Sequence, residues 1–256
     1  NIGANFVASF RAIGGGEVNE YTQLVYDSRQ QVMARMWEQA TQRGANAIVA
    51  CRFDTGEIAA QFSEVCCYGT AVAVVPIPAE SMRSIPTKHG KHGLPSKVWL
   101  YKDAAGLALF VLYRFDLGPD ADGKPRKVFA PLTWCASTAD GTLQWRWLSL
   151  PEPRPLLHLD ELAKRAADPV VLCEGEKAAD AAAVLLPHYV ATCWPNGTNS
   201  WQKADFAPLA GRNVLLWPDN DAPGLTCMDA LAEHLRQRGA ASVRVVAMGG
   251  FSQQPC

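Results

Sequence analysis

The sequence predicts an α/β protein: a small α+β domain, then an antiparallel β meander, then a parallel sheet with helices on both faces. Three observations carry the prediction. From residue 169, near-continuous apolar runs at 169–173, 189–194, 213–217 and 242–248 alternate with amphipathic helical stretches, as expected of strands covered on both sides by crossover helices. Between residues 97 and 150, short strand-like runs are separated by Asp- and Gly-containing turn signals. Before residue 78, one long helical pattern is followed by two runs rich in Val, Ala, Cys and Tyr. With 48% hydrophobic and 19% charged residues among 256, the chain has a globular composition, which excludes disorder, collagen-like repeats and coiled coil. No apolar run approaches the roughly 18 residues that a membrane helix needs.

The first domain is assigned to residues 1–77. Over residues 21–43, Val25, Val32, Met36 and Ala40 share one helix face, no Gly or Pro interrupts, and Gly44 stands where a left-handed cap is wanted. Residues 47–53 and 63–75 read as an antiparallel pair. One helix on two strands buries little, and assembly into a homo-oligomer is the natural remedy.

Residues 76–97 contain four prolines, two glycines and no apolar periodicity, so 78–96 is assigned as a linker, with His89 and His92 as solvated residues in it. The β region at 97–150 has strands at 98–101, 107–115, 128–133 and 143–147. In it Trp99, Tyr101, Tyr113, Phe115, Phe129, Trp145 and Trp147 are interleaved with Lys102, Arg114, Lys127 and Arg146. Such a face either packs as core or stacks bases and holds phosphates, and core is the commoner outcome. A proline-rich break at 151–155 opens the last domain, 151–256.

The net charge is −1, and only residues 78–160 lean basic, at +3, too little by itself to establish nucleic-acid binding. The eight cysteines show neither CxxC nor finger spacing, which excludes a zinc ribbon in this segment, and their apolar surroundings suit a reducing cytoplasm. Beginning at Asn1 and ending at Cys256, just after a strand-like run, the chain reads as a segment of a longer protein.

The chemistry is concentrated in the last domain. Right-handed crossovers put the carboxyl ends of parallel strands along one edge, so Glu174 after the first strand and Asp219 and Asp221 after the third face one crevice. Three carboxylates gathered there repel unless a hard cation neutralises them, and an oxygen-only cluster with room for water suits Mg²⁺ or Mn²⁺. The alternative is that the Asp219-Asn220-Asp221 stretch is a helix cap. Lys177, about one helical turn beyond Glu174, reads equally as a phosphate contact and as a solvated helix lysine. Gly197-Thr198-Asn199-Ser200, at the second strand's end, reads as a flexible polar loop against nucleotide or template, or as a plain turn.

Two resemblances accompany these readings. Asn1-Ile2-Gly3-Ala4-Asn5, Gly14-Gly15-Gly16, Tyr21, the long helix, Gly44-Ala45-Asn46-Ala47-Ile48-Val49 and Tyr68-Gly69-Thr70-Ala71-Val72 resemble the YbjQ-like, putative heavy-metal-binding family over about 1–77. The resemblance implies small α+β subunits assembled into rings. The residues themselves argue against a metal at Cys66 and Cys67, because adjacent strand positions point to opposite faces.

The second resemblance covers about 97–250. Glu174 and Gly175, then Asp219 and Asp221 followed by Gly224, with the segments VWLYKDAAG, FAPLTW, PRPLLHLDELA, CEGEKAADAA, WPNGTNSW and LLWPDNDAPG, resemble the Toprim domain of phage and mobile-element DNA primases and primase-helicases. It implies a Rossmann-like Toprim fold, C-terminally truncated here, and Mg²⁺-dependent nucleotidyl transfer for primer synthesis. Asp219 and Asp221 would hold the metal, and Glu174 would bind metal or take a hydroxyl proton. The implied partners are single-stranded DNA template, nucleoside triphosphates and a replicative helicase. Two alternatives stay open: a Toprim nuclease using the same carboxylates, and a non-enzymatic oligomeric metal-binding protein carrying a passenger Toprim unit.

Overall fold

The computed structural model describes residues 19–59 and 62–247. The motif residues at 1–5 and 14–16 lie outside the described residues, as does the end of the run at 242–248. The chain divides into two compact units, one holding the described residues up to Val74 with Ala136–Thr142, the other Val75–Cys135 with the described residues from Leu143 onward.

In the first unit, helix α1 (Asn19–Gln42) precedes an antiparallel hairpin of β1 (Ala47–Ala59) and β2 (Phe62–Val75). The helix stops as expected: Gly44 adopts φ +77°, and the Ala45 N–H returns to the Ala40 carbonyl at 3.0 Å. Of the expected face, Ala40 is buried and Val32 and Met36 are half-buried. The hairpin register shifts twice, between Glu57 and Ala59 and, earlier, from Val49 opposite Thr70 to Arg52 opposite Tyr68, where β1 carries an extra residue at Ala50–Cys51. Ala50 takes φ 54° there, and Gly69 lies so close under the bulge that a Cβ would sit 2.7 Å from Ile48 Cγ2.

The second unit holds both of the remaining sheets. The antiparallel one runs β3 (Lys97–Lys102), β4 (Ala108–Leu117) and β5 (Arg126–Ser137), with β6 (Leu143–Arg146) on β5. Its turns form as the sequence asks, with Asp103 Oδ1 accepting from the Ala105 and Leu107 N–H groups and Asp120 Oδ1 from those of Asp122 and Lys124. The parallel sheet comprises β7 (Val170–Cys173), β8 (Val190–Cys193), β9 (Asn213–Trp217) and β10 (Ser242–Val245), in the order β10-β9-β7-β8. Three helices accompany it: α2 (Leu159–Lys164), α3 (Glu176–Leu185) and α4 (Ala222–Gln237).

Alternate residues of β7, β8 and β9 feed two separate cores, which is why these strands read as unbroken apolar runs. Val170, Leu172, Val214 and Leu216 pack on one side with Met228, Leu231 and Leu235 of α4. Val171, Cys173, Ala191 and Cys193 pack on the other with Ala179 and Ala182 of α3 and with Trp99, Tyr101, Phe110 and Leu112 of the antiparallel sheet.

This second layer corrects several expectations. The break at 151–155 is no boundary between compact units, because one face of the meander closes the parallel sheet. The 78–96 stretch is no free linker. Met82 and Ile85 pack beside Ile77 on the meander's other core, and Tyr113 donates its hydroxyl to the Pro86 carbonyl at 2.8 Å. His89 and His92 stack on each other at 4.7 Å between centroids and meet the Phe115 ring, with Trp147 also against His89, so they are packed rather than merely solvated.

On α3 the buried positions are Glu176, Ala179 and Ala182, while Leu185 is 66% exposed. On α4 Leu225 is 40% exposed, whereas Met228, Leu231, Ala232 and Leu235 form the buried stripe. Leu231→Ala is therefore expected to cost about 2–5 kcal/mol and Leu225→Ala under about 1 kcal/mol, read from urea denaturation midpoints.

Candidate active site at the carboxyl edge of the parallel sheet

The strand order fixes where a site can form. Chain leaving β7 enters α3 on one face of the sheet, chain leaving neighbouring β9 enters α4 on the other, and the two ends open a crevice between diverging connections. Glu174 follows β7 there, and Asp219 follows β9.

Glu174 is buried, yet both of its oxygens are satisfied. Oε1 accepts from the Asp219 backbone N–H at 2.8 Å, and Oε2 accepts from the Thr198 hydroxyl at 2.8 Å. The expected flexible loop is a 3₁₀ turn, Thr198–Lys203, pinned in part by the Trp194 indole donating to the Gly197 carbonyl at 2.8 Å. Gly197 itself needs φ +71°. Gly224, in the first turn of α4, crowds the same carboxylate: a Cβ would stand 2.5 Å from Glu174 Oε1 and 2.9 Å from the Asp219 carbonyl.

The two aspartates have different occupations. Asp221 is the N-cap of α4, its Oδ1 accepting from the Gly224 N–H at 2.7 Å, so the helix-cap reading holds for this residue. Asp219 instead lines a cavity of about 720 Å³ together with Glu174, Glu176 and Lys177. Its carboxyl pKa is raised, first by partial desolvation and then by the Asp221 charge, with Lys127 pulling the other way. The wall supplied by the meander carries Arg114, Lys127 and Phe129. Arg114 is braced by Asp116 at 2.7 Å, with its guanidinium 5.9 Å from the Phe129 ring centre.

Glu176 escaped the sequence reading. It is buried at the first position of α3 and accepts the Tyr101 hydroxyl at 2.7 Å; a carboxylate at a helix start followed by small residues was the available signal, but its partner lies 75 positions away. Burial raises its pKa and Asp180 adds to the rise, while the Tyr101 bond and Arg114 oppose it.

Among the described residues, no three His, Cys, Asp or Glu side chains form a group able to hold a metal ion. The three carboxylates share an edge without making a cage. The donor chemistry still fits a hard cation, because Mg²⁺ commonly takes one or two carboxylates and completes its shell with water and substrate phosphates. Of the cavity carboxylates Glu174, Glu176 and Asp219, Glu174 and Asp219 follow the neighbouring strands β7 and β9, and the Asp219–Asp221 repulsion is what a cation would relieve.

Comparison with known proteins bears on the other unit. Residues 1–75 match the YbjQ_1 family, described as "Putative heavy-metal-binding". A UPF0145 protein of Mycobacteroides abscessus is 52% identical over 77 residues, covering 30% of this chain and 72% of the relative. The chain belongs to the YbjQ_1 family. A UPF0145 protein of Bradyrhizobium is 49% identical over 75 residues, 29% of this chain and 68% of its own length, and one of Methanocella arvoryzae is 46% identical over 89 residues, 35% and 72% respectively. The YbjQ_1 match ends before the meander, so the cavity residues from Arg114 to Asp219 lie outside it.

Two outcomes test this geometry. Gly224→Ala must push Glu174 off the Asp219 N–H and is expected to destabilise the protein by about 1–3 kcal/mol in urea. Glu176, with its folded pKa above the unfolded value, contributes stability below the ordinary carboxylate range that is lost as pH rises through the raised value. Glu176→Gln, neutral at every pH and still able to accept from Tyr101, is expected to be more stable than the parent at neutral pH, with the gain vanishing at acid pH.

Proposed function

We propose that the second unit is a Toprim-type catalytic segment that transfers nucleotidyl groups with Mg²⁺ or Mn²⁺, acting as a DNA primase in the replication of a phage or mobile element. The observation that supports this best is the pairing of walls around one cavity: Glu174 and Asp219 on the strand-end side, Arg114, Lys127 and Phe129 opposite. An acidic edge alone suits a cation and a basic aromatic wall alone suits an anion or a base. A nucleoside triphosphate with its metal needs both.

In primer synthesis a 3′-hydroxyl oxygen bonds to the α-phosphorus, the bond to pyrophosphate breaks, and the hydroxyl proton must leave. A bound divalent ion supplies Lewis-acid stabilisation of the charge developing on the phosphate oxygens. Asp219 and Glu174 would hold the ion and so orient the phosphate end of the substrate. Asp221 acts one step back, capping α4 and so fixing the turn that carries Asp219. Lys177, Arg114 and Lys127 meet phosphate charge, and Phe129 offers a face on which a base stacks. Single-stranded DNA is the template and a replicative helicase the natural partner. A cytoplasmic setting agrees with the free thiols of the seven described cysteines, and no helix among the described residues is long and apolar enough to cross a membrane.

The decisive assay supplies single-stranded template, ribonucleotides and Mg²⁺. Primers are expected from the parent, with Asp219→Asn reducing synthesis on the order of 10²-fold or more at unchanged fold. Unaltered synthesis by Asp219→Asn and Glu174→Gln would remove these residues from the chemistry. Metal-dependent shortening of labelled strands without nucleotides would move the same carboxylates to the nuclease reading.

A further inference from the structure

The first unit holds a sulfur cluster that its family description assigns to no residue and that does not depend on the primase reading. Cys51 Sγ on β1 lies 3.4 Å from Cys67 Sγ on β2, and Cys67 Sγ lies 3.7 Å from Met36 Sδ on α1. Three elements converge to make it. The bulge at Ala50–Cys51 shifts the β1 register, after which Cys67 faces Phe53 directly and Cys51 diagonally. Gly69 leaves room for that bulge, its missing Cβ facing Ile48, the Val49 carbonyl and Cys51 Cα. The same side of the hairpin is covered by α1, which contributes Met36 to Cys67 and the Arg29 guanidinium to the Phe53 ring. Cys66, the next position on β2, projects to the other side.

We propose that Met36, Cys51 and Cys67 form a binding site for a single soft monovalent ion, Cu(I), in three-coordinate all-sulfur geometry. At the ~2.3 Å typical of metal–thiolate bonds, three sulfurs around an ion in one plane stand about 4.0 Å apart. The two edges that meet at Cys67, 3.4 Å to Cys51 and 3.7 Å to Met36, fall just short of this, so a few tenths of an ångström of opening at Cys67 brings both to it. The donor set selects the metal: two thiolates and a thioether suit Cu(I), whereas Mg²⁺ and Ca²⁺ take oxygen and a structural Zn²⁺ site wants four ligands of the Cys, His or carboxylate type. Access is open, since Cys51 is exposed and a cleft of about 420 Å³ lined in part by Arg35, Met36 and Cys67 adjoins the cluster. In the free protein Cys67 is a thiol, its pKa pushed up to about 11 by burial and by the Cys51 contact. Binding replaces the two thiol protons, which pass to solvent, by two copper–sulfur bonds, adds one bond to the Met36 thioether, and transfers no electron.

The test is an anaerobic titration of the reduced full chain with Cu(I) against a chromogenic cuprous chelator, joined to X-ray absorption at the copper edge. One equivalent per chain is expected, with three sulfur neighbours near 2.3 Å. Cys51→Ser and Cys67→Ser should each weaken binding about 100-fold or more. Met36→Leu, which keeps the helix packing, should weaken it about 10-fold and drop the sulfur count to two. Cys66→Ser should leave affinity within about threefold. Nitrogen or oxygen neighbours in the absorption spectrum, affinity unchanged in Cys51→Ser and Cys67→Ser, or an equal loss in Cys66→Ser would each overturn the assignment.

Discussion

A buried carboxylate with no positive partner in contact among the described residues organises the second unit. Glu174 sits at the end of the central strand, and an ionised group there costs several kcal/mol unless donors replace the water it has lost. Its donors come from two other strand ends: the N–H of Asp219 after β9 and the hydroxyl of Thr198 in the turn beyond β8. Three segments distant in sequence are thereby fixed by one side chain. The first turn of α4 must approach the same oxygens, which is why position 224 has no Cβ. Carboxylate, turn and helix entry form one unit, and the cavity inherits its floor from it.

The same edge separates two aspartates by function, although only Asn220 lies between them. Asp221 caps α4, its carboxylate accepting from the open Gly224 N–H. Asp219 faces the cavity, where partial desolvation and the neighbouring charge both disfavour its ionised form. Lys127 on the opposite wall works against them. The crevice is thus charge-separated: negative at the strand ends, positive on the meander. On the proposed reading, substrate phosphates with their cation complete an arrangement that is electrostatically half-built in the free protein.

Local rules explain why the elements were legible. Gly44, the Asp103 and Asp120 turns and the unbroken runs of β7 to β9 each announce themselves within a few residues. The convergence of Glu174 with Asp219 followed from topology alone, since parallel strands share one carboxyl edge. What stayed hidden depends on pairs far apart in sequence. Glu176 is a core residue because Tyr101 crosses 75 positions to meet it, on the side of the sheet that the meander covers. Cys51 and Cys67 were unpaired on paper, because a bulge moves the register by one residue and the sequence does not mark it. Arg212 is a further case: its guanidinium is held by the Leu162, Arg165 and Asp168 carbonyls, and no local pattern distinguishes it from a surface arginine.

The two units offer ligands of opposite character. The strand-end cavity presents carboxylate oxygens, hard donors that release Mg²⁺ readily and bind it best with phosphate. The hairpin presents sulfur, which holds Cu(I) far more tightly than any oxygen cluster does and has little affinity for Mg²⁺. On the two proposals, donor atoms rather than cavity shape set the preferences, so Mg²⁺ and copper would sort between the units without competition.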